Sequence, residues 1–249
     1  MVALENERIR RSAPEVSEMT KEPHRDLRNE TIHSLALIMP AFNEASTIPG
    51  AVRRVLEQDF VGQLIVVDDG STDGTLEALT KVDSDRLIMV RHEVNRGKGA
   101  AIRTGLTRVT APFVGIQDAD LEWNPKDLRP IIELLVQDRA DVVYGSRFLT
   151  AHERRVLYYW HSVGNKLLTQ FSNAFSNLNL TDMETCYKVF RTSVLKSISL
   201  KEDRFGFEPE VTMKVAKLNV RFYEVGVSYS GRTYAEGKKI NWKDGFSAI

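Results

Sequence analysis

Cysteine is almost absent from this sequence, because Cys186 is the only one among 249 residues. A single thiol cannot form an intrachain disulfide, which excludes a disulfide-stapled fold and suits a reducing compartment. Histidine is scarce too, and its spacing does not match a zinc site. The five histidines are His24, His33, His92, His152 and His161. We therefore expect neither a disulfide framework nor a structural zinc.

Long apolar runs and an excess of charge are also missing. No run approaches the roughly 20 apolar residues that span a bilayer, and residues 1–30 are too charged for a signal peptide. Lys plus Arg and Asp plus Glu both number 34, so the net charge is zero and no basic field points to nucleic acid. The sequence therefore predicts a cytoplasmic protein without a nucleic-acid partner.

The N-terminal residues 1–33 lack apolar periodicity. They combine Arg8, Arg10 and Arg11 with several glutamates and two prolines. This composition predicts a disordered tail. A basic membrane tether is the alternative, and the interleaved acidic residues argue against it. We expect residues 34–249 to form a single domain.

From residue 34 onward, short apolar runs alternate with helix-like stretches. The runs are 35–39, 64–67, 87–90, 113–116 and 142–144, followed later by 186–190 and 220–227. The helical stretches are 47–58, 74–82, 97–109, 125–137, 154–177 (with a break expected near Gly164) and 208–218. Ser71, Thr72 and Asn124 mark two of the helix starts. The alternation predicts an α/β fold with a mainly parallel central sheet and helices on both faces.

Polar segments directly follow the first five apolar runs. They are residues 40–44, 68–74, 95–99, 117–122 and 145–147. Because ligands in an open parallel sheet bind beyond the carboxyl ends of the strands, we expect these segments to form one site. Neighbouring carboxylates recur in these segments. Because two negative charges so close together repel each other, they usually share a cation or a hydrogen-bond donor.

The acidic pair Asp118 and Asp120 follows the fourth apolar run. Two carboxylates two residues apart can converge on one hard divalent cation that also binds phosphate oxygens, and Glu122 can add a further oxygen. The alternative is a simple turn or helix cap. The position at the end of a predicted parallel strand favours the cation site.

Residues 96–99 place two cations and two glycines at a predicted helix start, which suits an anion. A tight turn closed by glycines is the alternative, and the two interpretations are compatible. The sequence has neither a Walker A motif nor a dinucleotide fingerprint after the first strand. These absences argue against P-loop kinases and dinucleotide-dependent dehydrogenases.

Four ordered motifs carry a family resemblance. They are PAFNE at 40–44, VVDDGSTDGT at 66–75, NRGKGAAIRTG at 95–105 and QDADLE at 117–122. Together they resemble the family 2 glycosyltransferases of GT-A fold. GSRF at 145–148 and DMETCYKVFR at 182–191 are most similar to the branch that makes polyprenyl- or dolichyl-phosphate sugars. The resemblance covers about residues 34–245, with 34–125 as the nucleotide-sugar half and 126–249 as the acceptor half.

The resemblance implies a role for each motif residue. Pro40, Phe42 and Glu44 would hold the nucleotide base, Asp69 would lie near the base or ribose, and Gly97, Lys98 and Gly99 would line the nucleotide pocket. Asp118 and Asp120 would bind Mg2+ or Mn2+ and the donor diphosphate, with Glu122 beside them and Asp120 counted among the catalytic residues. Arg147 would face the diphosphate or the acceptor phosphate.

Asp182 lies where many inverting relatives keep a catalytic base. With a hydroxyl acceptor it would be that base; with a phosphate acceptor, already ionised, it would be structural or orient the phosphate. Arg232 belongs to a basic, glycine-bearing segment, expected to close over phosphates or to be a solvated chain end. The helix predicted at 154–177 is amphipathic with a basic start, which suits a membrane interface or packing against the sheet.

The resemblance thus implies an inverting glycosyltransferase with a UDP- or GDP-type donor and a polyprenyl or dolichyl phosphate acceptor. Such an enzyme would lie at the inner face of a membrane. The alternatives are transfer to a hydroxyl of a soluble or protein-borne glycan, a nucleotidyltransferase, and a non-catalytic nucleotide-sugar binder. No pattern in the sequence indicates an oligomeric state.

Overall fold

The computed structural model describes residues 31–149, 155, 156, 158–204 and 206–232. Seven strands in these residues form one sheet in the order β3-β2-β1-β4-β6-β5-β7. They are β1 (Leu35–Ala41), β2 (Val61–Asp68), β3 (Leu87–Arg91), β4 (Phe113–Ile116), β5 (Val142–Ser146), β6 (Lys188–Arg191) and β7 (Phe222–Gly226). All seven predicted apolar runs thus contribute strands.

Six of the described helices correspond to the predicted stretches, and one short helix, Thr192–Ser197, was not predicted. Numbered within the described residues, they are α1 (Ile48–Leu56), α2 (Thr75–Leu79), α3 (Lys98–Leu106), α4 (Leu128–Val136), α5 (Tyr159–Ser176), α6 (Thr192–Ser197) and α7 (Phe207–Ala216). A short 3-10 helix, Pro125–Asp127, precedes α4. The predicted α/β architecture with a mainly parallel sheet is confirmed.

One strand runs against the others. β6 pairs antiparallel with both β4 and β5, whereas β1 pairs parallel with β2 and β4, and β5 pairs parallel with β7. The carboxyl ends of β1, β2, β4 and β5 therefore share one edge. Because β6 is reversed, its beginning lies at this edge, so residues just before Lys188 join the polar segments predicted there.

The core is built on the central strands. Residues 35–39 of β1 are completely buried, as expected of a strand covered on both faces. On α1, Ile48, Val52 and Val55 are buried at helical spacing and supply the apolar face that packs on the sheet. Burying each such side chain contributes about 1.5–3 kcal/mol, so these elements hold the functional edge in place.

Two local predictions need correction. α5 continues through Gly164 without the expected break, since one glycine costs a helix only about 1 kcal/mol. The helix expected at 74–82 begins at Thr75, after Gly74 with a φ of 89°, but ends earlier than expected, at Leu79. The carboxylate of Asp73 accepts from the backbone N–H of Thr75 at 3.1 Å and so takes the capping role.

Other predictions concern residues that are not described. Residues 1–30 of the predicted tail lie outside the described residues, as do Lys238 and Lys239 of the basic C-terminal segment that contains Arg232.

Asn124 marks a helix start as predicted, because its side chain accepts from the backbone N–H of Lys126 at 3.2 Å. None of the described helices is both long and apolar enough to cross a membrane.

Candidate active site

The carboxylate of Asp118, just beyond β4, is held by a lysine from the start of α3. Lys98 Nζ lies 3.0 Å from Asp118 Oδ1 and 2.9 Å from Oε1 of Glu208 on α7. Burial favours the neutral acid, but Lys98 outweighs it and lowers the pKa of Asp118 below its usual value. The backbone N–H of Asp118 donates to Cys186 Sγ at 3.1 Å, so the lone cysteine also supports the loop.

Asp120 and Glu122 are held by an arginine from the far end of the described chain. Arg232 Nη2 donates to Asp120 Oδ2 at 3.1 Å, and Arg232 Nε donates to Glu122 Oε1 at 3.0 Å. Burial, followed by repulsion from Asp118 and Glu122, raises the pKa of Asp120 to about 7. The structure thus brings Arg232 onto the predicted metal carboxylates.

Both carboxylate oxygens of Glu122 already accept hydrogen bonds from the C-terminal segment of the described chain. The Tyr229 hydroxyl donates to Glu122 Oε2 at 2.7 Å, while the backbone and side chain of Arg232 bind Oε1. In the described part of the chain, no group of three or more His, Cys, Asp or Glu side chains has the arrangement of a metal site. Because Glu122 is already bound, Asp118 and Asp120 are the two carboxylates of this loop best suited to a metal.

These two carboxylates fit a divalent cation. Each already binds a positively charged side chain, Lys98 or Arg232. The raised pKa of Asp120 shows that this positive charge is insufficient for both carboxylates to ionise freely. Hard oxygen ligands of this kind suit Mg2+ or Mn2+, with phosphate oxygens and water completing the shell.

A second charged pair lies beyond β5. The guanidinium of Arg147 donates from Nε to Asp182 Oδ2 and from Nη2 to Asp182 Oδ1, both at 2.7 Å. Asn165 of α5 donates to Asp182 Oδ1 at 3.1 Å and accepts from Arg147 Nη2 at 3.1 Å. Asp182 is fully buried. Burial opposes its ionisation, yet Arg147 lowers the pKa of Asp182.

Aromatic rings surround the same guanidinium. The Arg147 Cζ atom lies 5.5 Å from the centroid of the Trp123 ring and 5.2 Å from that of the Tyr229 ring. These rings are 5.0 Å apart, and Trp123 and Tyr229 also form a β-bridge. Because the Tyr229 hydroxyl binds Glu122, one tyrosine contacts both the acidic loop and Arg147.

The predicted nucleotide side is built from two interlocked loops after β1 and β2. The backbone N–H of Asn43 donates to Ser71 Oγ at 2.9 Å, and that of Thr72 donates to Asn43 Oδ1 at 2.9 Å. The backbone N–H of Glu44 donates to a threonine hydroxyl at 2.8 Å. Phe42 leaves 42% of its surface exposed, and Pro40 before it is half-buried. An exposed ring beside this loop suits stacking on a base.

Asp69 turns towards the start of α3. Its carboxylate accepts from the backbone N–H of Arg96 at 3.0 Å and of Gly97 at 2.7 Å, and Oδ1 lies 2.6 Å from His92 Nδ1. The structure thus places Asp69 as the support of the glycine loop. Its placement near base or ribose stays a prediction.

The glycine loop is also packed from the other side. A Cβ on Gly97 would lie 2.3 Å from the Asp203 carbonyl oxygen, and one on Gly99 2.1 Å from that of Glu202. The backbone N–H of Ala100 donates to the Asp203 carbonyl at 3.1 Å. The backbone N–H groups of Arg96 and Gly97, in the segment predicted to bind an anion, are therefore satisfied by Asp69, and that of Ala100 is satisfied by the Asp203 carbonyl.

Sequence reasoning missed several residues at this edge: Glu184, Lys188, Glu208 and Tyr229. Glu208 lies in the first turn of α7, where an acidic side chain is common because it stabilises the helix start, and its 110-residue separation from Lys98 gives no local sign of their contact. Lys188 did carry a signal, because a lysine inside an apolar run is unusual in a buried strand. It is 1% exposed.

Comparisons with known proteins agree with this geometry. The profile described as Glycosyl transferase family 2 matches residues 36–199. A UDP-N-acetylglucosamine–dolichyl-phosphate N-acetylglucosaminyltransferase of Methanococcus voltae is 27% identical over 225 residues, covering 82% of this chain and 89% of the relative. An undecaprenyl-phosphate mannosyltransferase of Micrococcus luteus is 29% identical over 214 residues, covering 81% and 85%.

A solved structure supports the fold. Glucosyl-3-phosphoglycerate synthase of Mycobacterium tuberculosis, in complex with Mn2+, UDP and glucosyl-3-phosphoglycerate, matches with a TM-score of 0.64 at 17% identity, covering 86% of this chain and 80% of that chain. The sheet and its likeness to this structure define an α/β protein of GT-A fold. The chain belongs to glycosyl transferase family 2 and is a glycosyltransferase, as the motifs predicted.

Proposed function

We propose that this enzyme moves a sugar, with inversion, from a UDP- or GDP-linked donor to a polyprenyl or dolichyl phosphate. The observation that carries the proposal is the position of Arg147 beside the acidic loop. The Tyr229 hydroxyl donates to Glu122 in the acidic loop, and the Tyr229 ring packs on Arg147. The carboxylates proposed to bind the donor and the cation proposed to bind the acceptor phosphate are therefore linked through one aromatic side chain.

On the donor side, Asp118 and Asp120 would hold Mg2+ or Mn2+ together with the donor diphosphate. The bound cation supplies Lewis acidity for the charge that grows on the leaving diphosphate. Lys98 and Arg232, which bind these carboxylates in the structure, are then available to the same phosphates. Attack from the face opposite the leaving group inverts the anomeric centre.

On the acceptor side, the pairing of Asp182 favours a phosphate nucleophile. Both oxygens of Asp182 bind the Arg147 guanidinium, and its pKa is lowered, so it is a poor proton acceptor. A phosphate needs no base, because it is ionised near neutral pH, whereas a hydroxyl does. Asp182 therefore orients Arg147, whose guanidinium binds the acceptor phosphate.

Helix α5 supports a lipid acceptor. It exposes a set of large apolar side chains: Tyr159, Trp160, Leu167, Phe171 and Phe175. Trp160 is 78% exposed and Phe175 is 73% exposed. An aromatic helix face of this kind lies well in the interface of a bilayer, and Asn165 ties the same helix to Arg147. The protein would be peripheral at a membrane. The two curated relatives are named for dolichyl-phosphate and undecaprenyl-phosphate acceptors.

The test is lipid extraction after incubation with labelled nucleotide sugars. UDP-glucose, UDP-N-acetylglucosamine and GDP-mannose are each supplied with Mn2+ and with undecaprenyl or dolichyl phosphate. The proposal expects label in the organic phase with at least one pair, and none after Asp120→Asn. Label transferred only to soluble or protein-borne glycans would overturn the acceptor and favour a hydroxyl.

A further inference from the structure

A buried set of charged side chains lies between the acidic loop and Arg147. We call Lys98, Glu184, Lys188 and Glu208 the inner cluster. Lys98 Nζ is 2.9 Å from Glu208 Oε1, and Lys188 donates to the backbone carbonyl of Thr185. Glu208 and Lys188 are buried. The roles proposed above use only Lys98.

Two carboxylate oxygens of the inner cluster have no donor. Glu184 Oε1 and Glu208 Oε2 are buried without a hydrogen-bond partner in the described residues. A buried acceptor without a donor costs about 1–3 kcal/mol, and more when it is charged. Burial, followed by repulsion from Glu208, raises the pKa of Glu184 to about 7. These oxygens therefore favour a ligand that donates hydrogen bonds.

The inner cluster also interacts with both sides of the proposed site. Lys98 contacts Asp118 on the donor side. Glu184 interacts electrostatically with Lys98 and with Arg147, the cation on the acceptor side. During transfer the anomeric carbon has to lie between the leaving diphosphate and the attacking phosphate. Under the proposed function, Glu184 and Glu208 would therefore be the acidic groups next to the sugar ring.

We propose that Glu184 and Glu208 bind hydroxyl groups of the donor sugar and select a neutral hexose over a hexuronate. This inference rests on the proposed function. Sugar hydroxyls donate to the two free carboxylate oxygens and accept from the lysines of the cluster. Both lysines are already engaged, Lys98 with two carboxylates and Lys188 with a backbone carbonyl. A sugar carboxylate next to the two glutamates would therefore meet their repulsion in a low-dielectric site and be rejected.

The test compares binding of nucleotides with and without the sugar. Calorimetry with Mn2+ measures UDP, UDP-glucose, UDP-N-acetylglucosamine and UDP-glucuronate, with GDP and GDP-mannose alongside. The variants are Glu184→Gln and Glu208→Gln, and Glu133→Gln on α4 is the matched control. Glu184 is half-buried, so Glu184→Gln keeps the test valid if Glu208→Gln does not fold.

The expected result separates the sugar from the nucleotide. In Glu184→Gln, affinity for the free diphosphate stays within about twofold, whereas affinity for the neutral nucleotide sugar falls about 10-fold or more, the loss typical of a charged hydrogen bond. In Glu208→Gln, which also loses the ion pair with Lys98, the ratio of nucleotide-sugar to diphosphate affinity falls by a similar factor. The wild type and Glu133→Gln prefer UDP-glucose to UDP-glucuronate, and the two variants lose that preference.

Two outcomes would overturn the inference in distinguishable ways. Unchanged ratios of nucleotide-sugar to diphosphate affinity in both folded variants would make the inner cluster structural, with the proposed function intact. Failure of the wild type to bind any of the diphosphates or nucleotide sugars would overturn the proposed function and this inference together.

Discussion

Arg232 donates to Asp120 Oδ2 at 3.1 Å across 112 residues of chain, so a cationic side chain binds the carboxylate predicted to hold the metal. The same guanidinium binds Glu122, and Tyr229 fixes the segment to that glutamate. A metal bound through Oδ2 of Asp120 would displace the Arg232 contact. Diphosphate oxygens arriving with the metal offer the guanidinium a new partner.

Arg232→Ala should bind metal more tightly and turn over more slowly. Removing the competing cation is expected to strengthen Mn2+ binding without nucleotide by roughly 3- to 10-fold, the scale of a partly exposed ion pair. Turnover should fall about 10-fold or more, because the diphosphate loses a positive charge. Electron paramagnetic resonance titration gives the first value and lipid labelling the second. Arg221→Ala is the control, because Arg221 forms an exposed ion pair elsewhere in the protein. Equal Mn2+ binding in the wild type and Arg232→Ala would contradict the prediction.

Metal affinity should depend on pH through Asp120. Its pKa of about 7 means that a proton must leave before the cation binds, so Mn2+ affinity rises up to pH 7 and then levels off. Without metal, stability has the opposite trend. A raised carboxyl pKa stabilises the fold below pH 4, and this contribution is lost as the pH rises to 7. Thermal unfolding and Mn2+ titration between pH 5 and 8 check both. Asp120→Asn should abolish the pH dependence of Mn2+ binding and weaken that of stability, because Glu184 has a similarly raised pKa and keeps its own contribution.

Asp182→Asn should weaken acceptor binding more than it slows chemistry. The substitution leaves Arg147 without its charged partner, and breaking such a buried pair costs about 3 kcal/mol of stability in urea unfolding. The KM for polyprenyl phosphate is expected to rise while the pH profile of kcat keeps its shape. Asn165→Ala should act in the same direction with a smaller effect. Loss of the acidic limb of the kcat–pH profile in Asp182→Asn would identify Asp182 as a base instead.

Replacing exposed aromatics of α5 should release the protein from lipid. Trp160→Ser with Phe171→Ser removes two solvent-facing rings, so thermal stability should change little while binding to phosphatidylglycerol vesicles falls about 10-fold or more. Co-sedimentation measures the binding. Val94→Ser, an exposed apolar residue outside α5, is the control and should bind normally. Undiminished vesicle binding by the double variant would show that α5 does not contact the membrane.

Much of the fold could be read from local pattern. The run at residues 35–39 predicts a buried strand because apolar side chains on both faces exclude solvent, and β1 is central in the sheet. The reversed direction of β6 could not be read this way. An apolar run has the same residue pattern in a parallel and in an antiparallel strand. The direction of β6 depends instead on the path of the connection between β5 and β6, which includes α5.

The sequence by itself determined the family, the strand-helix alternation and the position of Asp118 and Asp120 at a strand end, because these depend on residue order and short-range periodicity. Only the tertiary structure decided the partners. Antiparallel β6 brings Asp182 to Arg147, and the packing of α7 brings Glu208 to Lys98, over separations of 35 and 110 residues. Such contacts follow from how whole elements pack together, and no local pattern encodes them.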